Sequence, residues 1–274
     1  MNCTRRSFLK GSLATIFFSN FNIPLYGSIS NPKKNLVIIS LRGGMDGLTA
    51  VPVNDILINK YRSDLILNNK LKLNSDFSLH PKLKTLHNLW SQNLAAVIHA
   101  TNVPYTGRSH FDGQNLMETG GKIPYQVKTG WLGRGMKIAG LTGKGLALAL
   151  PMPLLIRGVP MNNNYFPVGN RLPSNDTLKL INQAYKEHNE KMLGENLNTI
   201  MTRELRNTAS DDSWVLASNA GQQLSKNNGP RVAVFEVDGF DTHAAQGATV
   251  GAHAVCLSDY VRIVSGIKQA MSKE

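Results

Sequence analysis

The segment from Asn35 to Leu48 constrains the fold of this chain more than any other part of the sequence. Five of the six residues from Leu36 to Leu41 are apolar, which is typical of a strand covered on both faces of a parallel sheet. A glycine-rich turn that also carries Arg42 and Asp46 follows directly. Ligands bind beyond the carboxyl ends of the strands in open α/β sheets. We therefore predict that Asp46 belongs to a metal or anion site at this edge of a sheet.

Two further apolar segments are predicted to be strands, Leu94–Ala100 and Arg231–Val237. A helical pattern of apolar residues over Pro81–Asn93 separates the first two strands. A strand, a helix and a strand in so short a span indicate a crossover unit and a parallel sheet. Leu146–Ile156 is also apolar, but its two internal prolines predict an edge strand followed by a turn.

Each of the three predicted strands is followed by a loop that carries acidic, basic, histidine or serine side chains. In strand order, these residues are Arg42 and Asp46; Arg108, Ser109, His110 and Asp112; and Asp238, Asp241 and His243. In a parallel sheet the three loops open on the same edge and can converge. Carboxylates and imidazoles bind divalent cations, arginine suits tetrahedral anions, and a serine beside a metal can act as a nucleophile. The pattern predicts metal-assisted ester hydrolysis.

Alternative roles exist for several of these residues. Asp46 in a glycine turn can simply accept hydrogen bonds from its own loop, and Ser109 can serve as a turn or helix-cap residue. Asp241 and His243 are two residues apart, so in an extended segment their side chains project to the same side, as two ligands should. We predict that this pair binds metal.

The N-terminus predicts export from the cytoplasm. A paired arginine within Thr4–Lys10 precedes the apolar run Gly11–Phe18, as in twin-arginine signals. An amphipathic helix with surface arginines is the alternative, and the run is too short to span a membrane. We predict a removable signal at residues 1–28, a domain at residues 29–274, and a periplasmic or secreted bacterial protein that uses the twin-arginine export machinery.

Composition limits the remaining classes of function. Hydrophobic residues make up 42% of the chain, enough for a sizeable core. The formal net charge is +12, but the lysines are scattered and no basic-aromatic patch occurs, so nucleic-acid binding is not supported. Cys256 is the only cysteine after residue 28, so an internal disulfide is excluded there. Four histidines, His80, His87, His99 and His253, are interpreted as surface or helix residues, and of these only His253 is a weak candidate for a further role. A phosphate nest at Gly43 and Gly44 is a further alternative.

These motifs also carry a family resemblance. The segments Leu41–Leu48, Arg108–Asp112 and Gly239–His243 follow one another behind a twin-arginine leader, with Leu79–Pro81, Glu118–Gly120 and Gly130–Arg134 between them. This order resembles the uncharacterised DUF1501 family over nearly the whole chain. That family looks like a member of the alkaline phosphatase and sulfatase superfamily. The resemblance implies an α/β fold, a three-layer α/β/α sandwich with a metal-dependent site at the strand ends.

The resemblance also implies roles for individual residues. Asp46, Asp241 and His243 would hold a divalent metal, which the sequence leaves open as Zn, Mn, Mg or Ca. Arg42 or Arg108 would orient a small anionic ester. The loop of Arg108, Ser109 and His110 would lie at the position of the nucleophile, so that Ser109 or an activated water molecule attacks.

The resemblance ends before the C-terminal motifs of the family. Relatives continue into a strand with a Glu-Phe-Gly-Arg motif and an Asp-His-Gly metal-binding loop, whereas this sequence stops at Glu274. We therefore expect a sandwich that is incomplete at its C-terminus, and either an inactive product or one that depends on a separate polypeptide. The main expectation is an exported hydrolase of phosphate or sulfate esters. The alternative is an exported binding or accessory protein that keeps the fold without catalysis.

Overall fold

The computed structural model describes residues 34–149, 151–164, 174–191, 193–195, 197 and 212–271. The described residues from Asn35 onward belong to one compact unit. The predicted export signal at residues 1–28 lies outside the described residues. Among the residues that are described, no helix combines the length and apolarity needed to cross a membrane.

The described chain contains both strands and helices, interspersed along its length. The strands are β1 (Leu36–Leu41), β2 (Leu71–Lys72), β3 (Ser78–Leu79), β4 (Gly145–Leu148), β5 (Asn163–Asn164) and β6 (Val232–Val237). The helices are α1 (Gly47–Ala50), α2 (Ile56–Tyr61), α3 (Lys84–Ser91), α4 (His110–Thr119), α5 (Trp131–Ile138), α6 (Asn175–Glu187), α7 (Ser213–Ser225) and α8 (Ala252–Met271).

The main sheet has the strand order β1-β6-β4-β5, and every neighbouring pair in it is parallel. β1 pairs with β6 along its full length, from Leu36 opposite Val232 to Leu41 opposite Val237. The structure therefore confirms the α/β class and the parallel sheet. It also places the carboxyl ends of β1 and β6 side by side. Arg42 and Asp46 follow the first of these ends, and Asp241 and His243 follow the second.

Both faces of the sheet pack against apolar clusters. Successive residues of a strand point to opposite sides, so alternate residues of β6 belong to different clusters. In β6, Ala233 and Phe235 belong to an apolar cluster that includes Ala217 of α7 and Leu257 of α8. The alternate β6 residues, such as Val234, belong to a second cluster. That second cluster includes Leu132 and Met136 of α5 and two buried residues of the 3₁₀ turn Leu154–Ile156. The near-continuous apolar sequence of β6 follows from this burial on both sides.

Two predicted strands differ in the structure. Leu94–Ala100 has no strand hydrogen bonding, Leu94 and Ile98 are exposed, and β1 lies at the edge of the sheet. An apolar run alone does not specify a pairing partner, which is the reason for the error. β4 lies between β6 and β5, not at an edge as predicted. It ends at Leu148, so the prolines at 151 and 153 fall beyond the strand and remove no hydrogen bond from the ladder.

Candidate metal centre

The candidate site begins in the glycine turn after β1. The backbone nitrogen of Arg42 donates to the Val237 carbonyl at 2.8 Å, and that of Phe240 donates to the Arg42 carbonyl at 3.2 Å. The two chain segments therefore stay together after β1 and β6 end. Gly43 and Gly44 then adopt φ values of 104° and 90°, which residues with a side chain rarely adopt.

The two glycines allow three segments of the chain to meet. A Cβ atom at Gly43 would lie 2.5 Å from the backbone nitrogen of Asp241, and one at Gly44 would lie 2.8 Å from Cε1 of His110. Either contact is too close for a side chain to be accommodated. The turn after β1 therefore requires glycine so that Asp241 and His110 can approach it.

His110, Asp241 and His243 come together beside this turn. Each offers one ligand atom, and these atoms all lie within 4.8 Å of one another. Oδ1 of Asp241 is 3.1 Å from Nε2 of His110 and 2.9 Å from Nε2 of His243. Of the described part of the chain, this is the one group of at least three His, Cys, Asp or Glu residues placed to hold a metal ion.

The ligand atoms are close enough to one another to share one cation. Zinc binds imidazole nitrogen and carboxylate oxygen at about 2.0–2.2 Å with tetrahedral geometry, so neighbouring donor atoms lie roughly 3.4 Å apart. The distances from Asp241 to the two imidazoles come close to that spacing. The side chains of His110, Asp241 and His243 are 43%, 44% and 78% exposed, so a cation can enter from solvent. These residues therefore fit a divalent metal.

No protein-family model, curated protein or solved structure matches this chain. The assignment of the site consequently depends on its own geometry.

The side chains of Asp241 and His243 are in contact, but not through the extended backbone that was predicted. The loop after β6 is not extended, because His243 has a φ of 44° and Ala245 a φ of 55°. Left-handed backbone at a residue with a side chain is uncommon and concentrates at functional sites. In this loop it turns the imidazole of His243 back to the carboxylate two residues earlier.

The structure does not bring Asp46 into this group. Its carboxylate accepts hydrogen bonds from both terminal nitrogens of Arg62, from Thr49 Oγ1 at 2.6 Å and from Gln246 Nε2 at 2.7 Å. It also caps α1 by accepting from the Leu48 nitrogen at 3.1 Å. Burial alone would raise the pKa of Asp46, but the hydrogen bonds from Arg62, Thr49 and Gln246 hold it well below its usual range. Asp46 thus stabilises its own loop, the alternative recognised in the sequence, and its role as a metal ligand has no support from this geometry.

Arg42, predicted to bind the substrate, lies in a network of ion pairs. Its guanidinium donates to Glu118, to Glu236 and, at 2.9 Å, to Gln114 Oε1. Glu118 also accepts from the buried backbone nitrogen of Leu155 at 3.2 Å. Burial opposes the charge of Arg42, but Glu236 and Glu118 raise its pKa. Because two carboxylates and an amide occupy the guanidinium, Arg42 is not free to bind an anionic ester.

In the loop before α4, Ser109 has a structural role, whereas Arg108 is available to bind a ligand. Ser109 is the N-cap of α4, and its hydroxyl accepts from the Asp112 nitrogen at 3.2 Å. Arg108 is exposed, and the described residues offer it no hydrogen bond or ion pair. Of the two predicted arginines, Arg108 is therefore the one able to meet an anion next to His110.

Two histidines interpreted as surface or helix residues are in fact buried. His80 is fully buried, and its Nε2 lies 3.0 Å from the Ala248 carbonyl. His253 is 1% exposed, packs edge-to-face on Phe240, and neither of its ring nitrogens has a hydrogen-bond partner among the described residues. Burial lowers the pKa of both histidines. His80 caps the 3₁₀ turn Pro81–Leu83, and His253 lies on the buried face of α8. The sequence pattern does not reveal that either position is buried.

Sequence reasoning also missed the partners of Arg42 and Asp46. Glu236 could have been recognised from the sequence as a residue that needs a partner, because it is the one charged residue in the otherwise apolar strand Val232–Val237. A charge there must be paired. Glu118, Arg62 and Gln246 carry no such signal.

Proposed function

We propose that this protein is a metal-dependent hydrolase of small phosphate or sulfate esters, with an alkaline phosphatase-like three-layer fold. One observation carries the proposal: His110, Asp241 and His243 approach within 4.8 Å at the carboxyl edge of a parallel sheet. That edge is where α/β proteins bind their ligands. Metal-dependent hydrolysis is the chemistry that this donor set supports best.

Two imidazoles and one carboxylate favour zinc or another transition metal over magnesium and calcium, which prefer oxygen ligands alone. Three protein ligands leave coordination positions open, which is typical of catalytic sites and not of structural ones. When bound, a divalent cation supplies Lewis-acid activation of the ester and of the attacking water. His110, Asp241 and His243 would hold it.

The residues around the three ligands suit an anionic substrate. His110 is the first residue of α4, so the unpaired backbone N–H groups and the positive end of the helix lie beside the site. Arg108, two residues before His110 in sequence, is exposed and has no partner among the described residues, and arginine binds tetrahedral anions through two parallel hydrogen bonds. Because Ser109 caps the helix, we assign the attack on the ester to water and not to this hydroxyl.

The cellular context rests on the sequence. The twin-arginine pattern within Thr4–Lys10 supports export to the periplasm or beyond, and that pathway carries folded proteins.

Metal titration of the purified full chain tests the proposal. After treatment with a chelator, the protein is titrated calorimetrically with Zn²⁺, Mn²⁺, Mg²⁺ and Ca²⁺ and then assayed on phosphate and sulfate esters. We expect one Zn²⁺ or Mn²⁺ per chain and metal-dependent hydrolysis. His110→Ala, Asp241→Ala and His243→Ala should each weaken binding by more than about 100-fold, more than an outer-shell residue costs.

His188→Ala is the matched control, because His188 is exposed at the end of α6. It should bind metal like the wild type. The absence of any divalent metal binding, or equal binding by all four variants, would refute the proposal.

The exposure of the site favours a second candidate, a non-catalytic exported binding or accessory protein. The imidazole of His243 is 78% exposed, whereas catalytic sites usually exclude water from the reaction. Tight, stoichiometric metal binding without hydrolysis of any ester would favour this candidate over the enzyme.

A further inference from the structure

A cleft of about 380 Å³ opens beside α4, within the size range of small-molecule sites. Its apolar wall consists of Phe111, Tyr125, Met152, Pro153 and Leu154. The cleft is separate from the three candidate metal ligands, none of which lines it.

The cleft adjoins the candidate metal site through α4. Phe111 directly follows His110, and Gln114 and Glu118 line the cleft one and two turns further along the same side of the helix as His110. Residues four apart on a helix lie one above the other, about 6 Å apart. Arg42 completes the connection, because it lines the cleft and immediately precedes the glycine turn that contacts Asp241 and His110.

The charged groups that line the cleft already have partners. Arg42 donates to Glu118, Glu236 and Gln114. The guanidinium of Arg157 donates from Nε and one terminal nitrogen to the Met152 carbonyl, at 2.9 and 2.7 Å. Because these charges are already satisfied, the surface left to contact a ligand is chiefly the apolar wall.

We infer that this cleft binds the uncharged organic group of the ester substrate, an aryl or bulky alkyl group, while the anionic group reaches His110. The inference rests on the proposed function for the identity of that ester. A cavity of about 150 Å³ is enough to hold benzene, so the cleft accommodates a substituted ring. An organic group that carries a carboxylate is disfavoured, because the charged groups of the lining already have partners and a carboxylate against the apolar wall would lose its hydration without gaining one.

Ligand binding without metal tests the cleft independently of catalysis. The chelator-treated full chain is titrated with benzyl alcohol, and binding is followed by chemical-shift changes in NMR spectra. We expect saturable binding that 4-(hydroxymethyl)benzoate does not reproduce. Phe111→Ala and Leu154→Ala should weaken binding about three- to tenfold, the usual value of one good aromatic or apolar contact.

Ile138→Ala is the matched control. Phe111 and Ile138 are 77% and 89% exposed, so neither truncation opens a cavity in the core, but Ile138 does not line the cleft. The control should bind benzyl alcohol like the wild type. Equal binding by the control and both cleft variants, or no binding of benzyl alcohol at all, would overturn the inference.

Kinetics separate this inference from the proposed function. With metal bound, kcat/KM for benzyl phosphate should exceed that for methyl phosphate, and Phe111→Ala should reduce that preference by the same three- to tenfold, mostly through KM. Metal-dependent hydrolysis with no preference and no effect of Phe111→Ala would overturn the inference and leave the function standing. Cleft-specific binding of benzyl alcohol without metal binding would refute the proposed function and leave the cleft as a binding site for an uncharged organic group.

Discussion

Gly43 lies directly against Asp241, with space for no side chain between them: a Cβ at Gly43 would lie 2.5 Å from the Asp241 backbone nitrogen. Gly43→Ala is therefore expected to push the Asp241 loop away and impose a side chain on a φ of 104°. Strain of this kind costs about 1–3 kcal/mol. Urea unfolding should show that loss, and calorimetry should show weakened Zn²⁺ binding.

Gly135→Ala is the matched control for this substitution. Gly135 is helical and a Cβ there meets nothing within 4 Å, so alanine should stabilise the protein by about 0.5–1 kcal/mol and leave metal affinity unchanged. Wild-type metal affinity in Gly43→Ala would show that the close approach is unnecessary.

Asp46→Asn separates a loop-stabilising role of Asp46 from a metal-binding one. Asparagine caps a helix about as well as aspartate, so the variant mainly removes the charge that Arg62 meets. Hydrogen bonds to charged groups contribute about 1.5–3 kcal/mol, and we expect a loss of that size in urea unfolding at pH 7. The affinity for Zn²⁺ should not change; a large fall would restore Asp46 as a ligand.

The stabilisation by Asp46 should also vanish in acid. Its pKa is lowered in the folded protein, so its contribution is complete above the unfolded value of about 3.9 and is lost as the pH falls through the folded value. The difference in free energy of unfolding between the wild type and Asp46→Asn should therefore start to shrink below about pH 4 and keep shrinking as the pH falls towards the folded pKa.

Removal of Arg42 is expected to be costly because it leaves two carboxylates unpaired. The side chains of Glu118 and Glu236 are 4% and 15% exposed, and breaking a buried ion pair from one side costs about 3–5 kcal/mol. Arg42→Met should lose stability on that scale. Adding Glu236→Gln should recover part of the loss, since burial and the neighbouring Glu118 already raise the pKa of Glu236. Strictly additive effects in this double-mutant cycle would contradict the network.

Substitutions of Ser109 test whether its hydroxyl caps α4 or attacks the ester. Ser109→Ala should cost about 1 kcal/mol, and Ser109→Asn should restore the cap without restoring a hydroxyl. If water attacks the ester, both variants keep kcat within about twofold of the wild type, a change worth less than 0.5 kcal/mol in barrier. Loss of hydrolysis in both would identify Ser109 as the nucleophile.

His253 should make the protein less stable as the pH falls below neutral. Burial lowers its pKa, so its contribution is complete above the unfolded value of about 6.5 and decreases as the pH falls below it, because the unfolded chain then binds the proton more readily. His253→Leu should reduce the loss of stability between pH 7.5 and 5, as measured by urea unfolding. His188→Leu, at an exposed position, should leave that pH dependence as in the wild type.

Several features could be predicted from local sequence because local chemistry fixes them. The apolar runs of β1 and β6 suit only covered strands, and the paired glycines require a turn. Asp241 and His243 were recognised as partners, although the left-handed backbone at His243 was not expected. Leu94–Ala100 has an equally apolar sequence but no partner strand, since pairing depends on the rest of the sheet.

The sequence by itself determined the α/β class, the apolar strands β1 and β6 and the types of side chain at their ends, because hydrophobic periodicity and glycine act over a few residues. Only the tertiary structure decided which polar residues meet. Asp46 joins Arg62 and Gln246, 16 and 200 positions away in the chain, while His110 takes the place beside Asp241. Asp46 and Asp241 both follow apolar strands at glycine turns, so their local sequences cannot distinguish them. Their different partners are set by long-range packing, which brings α4 against the glycine turn.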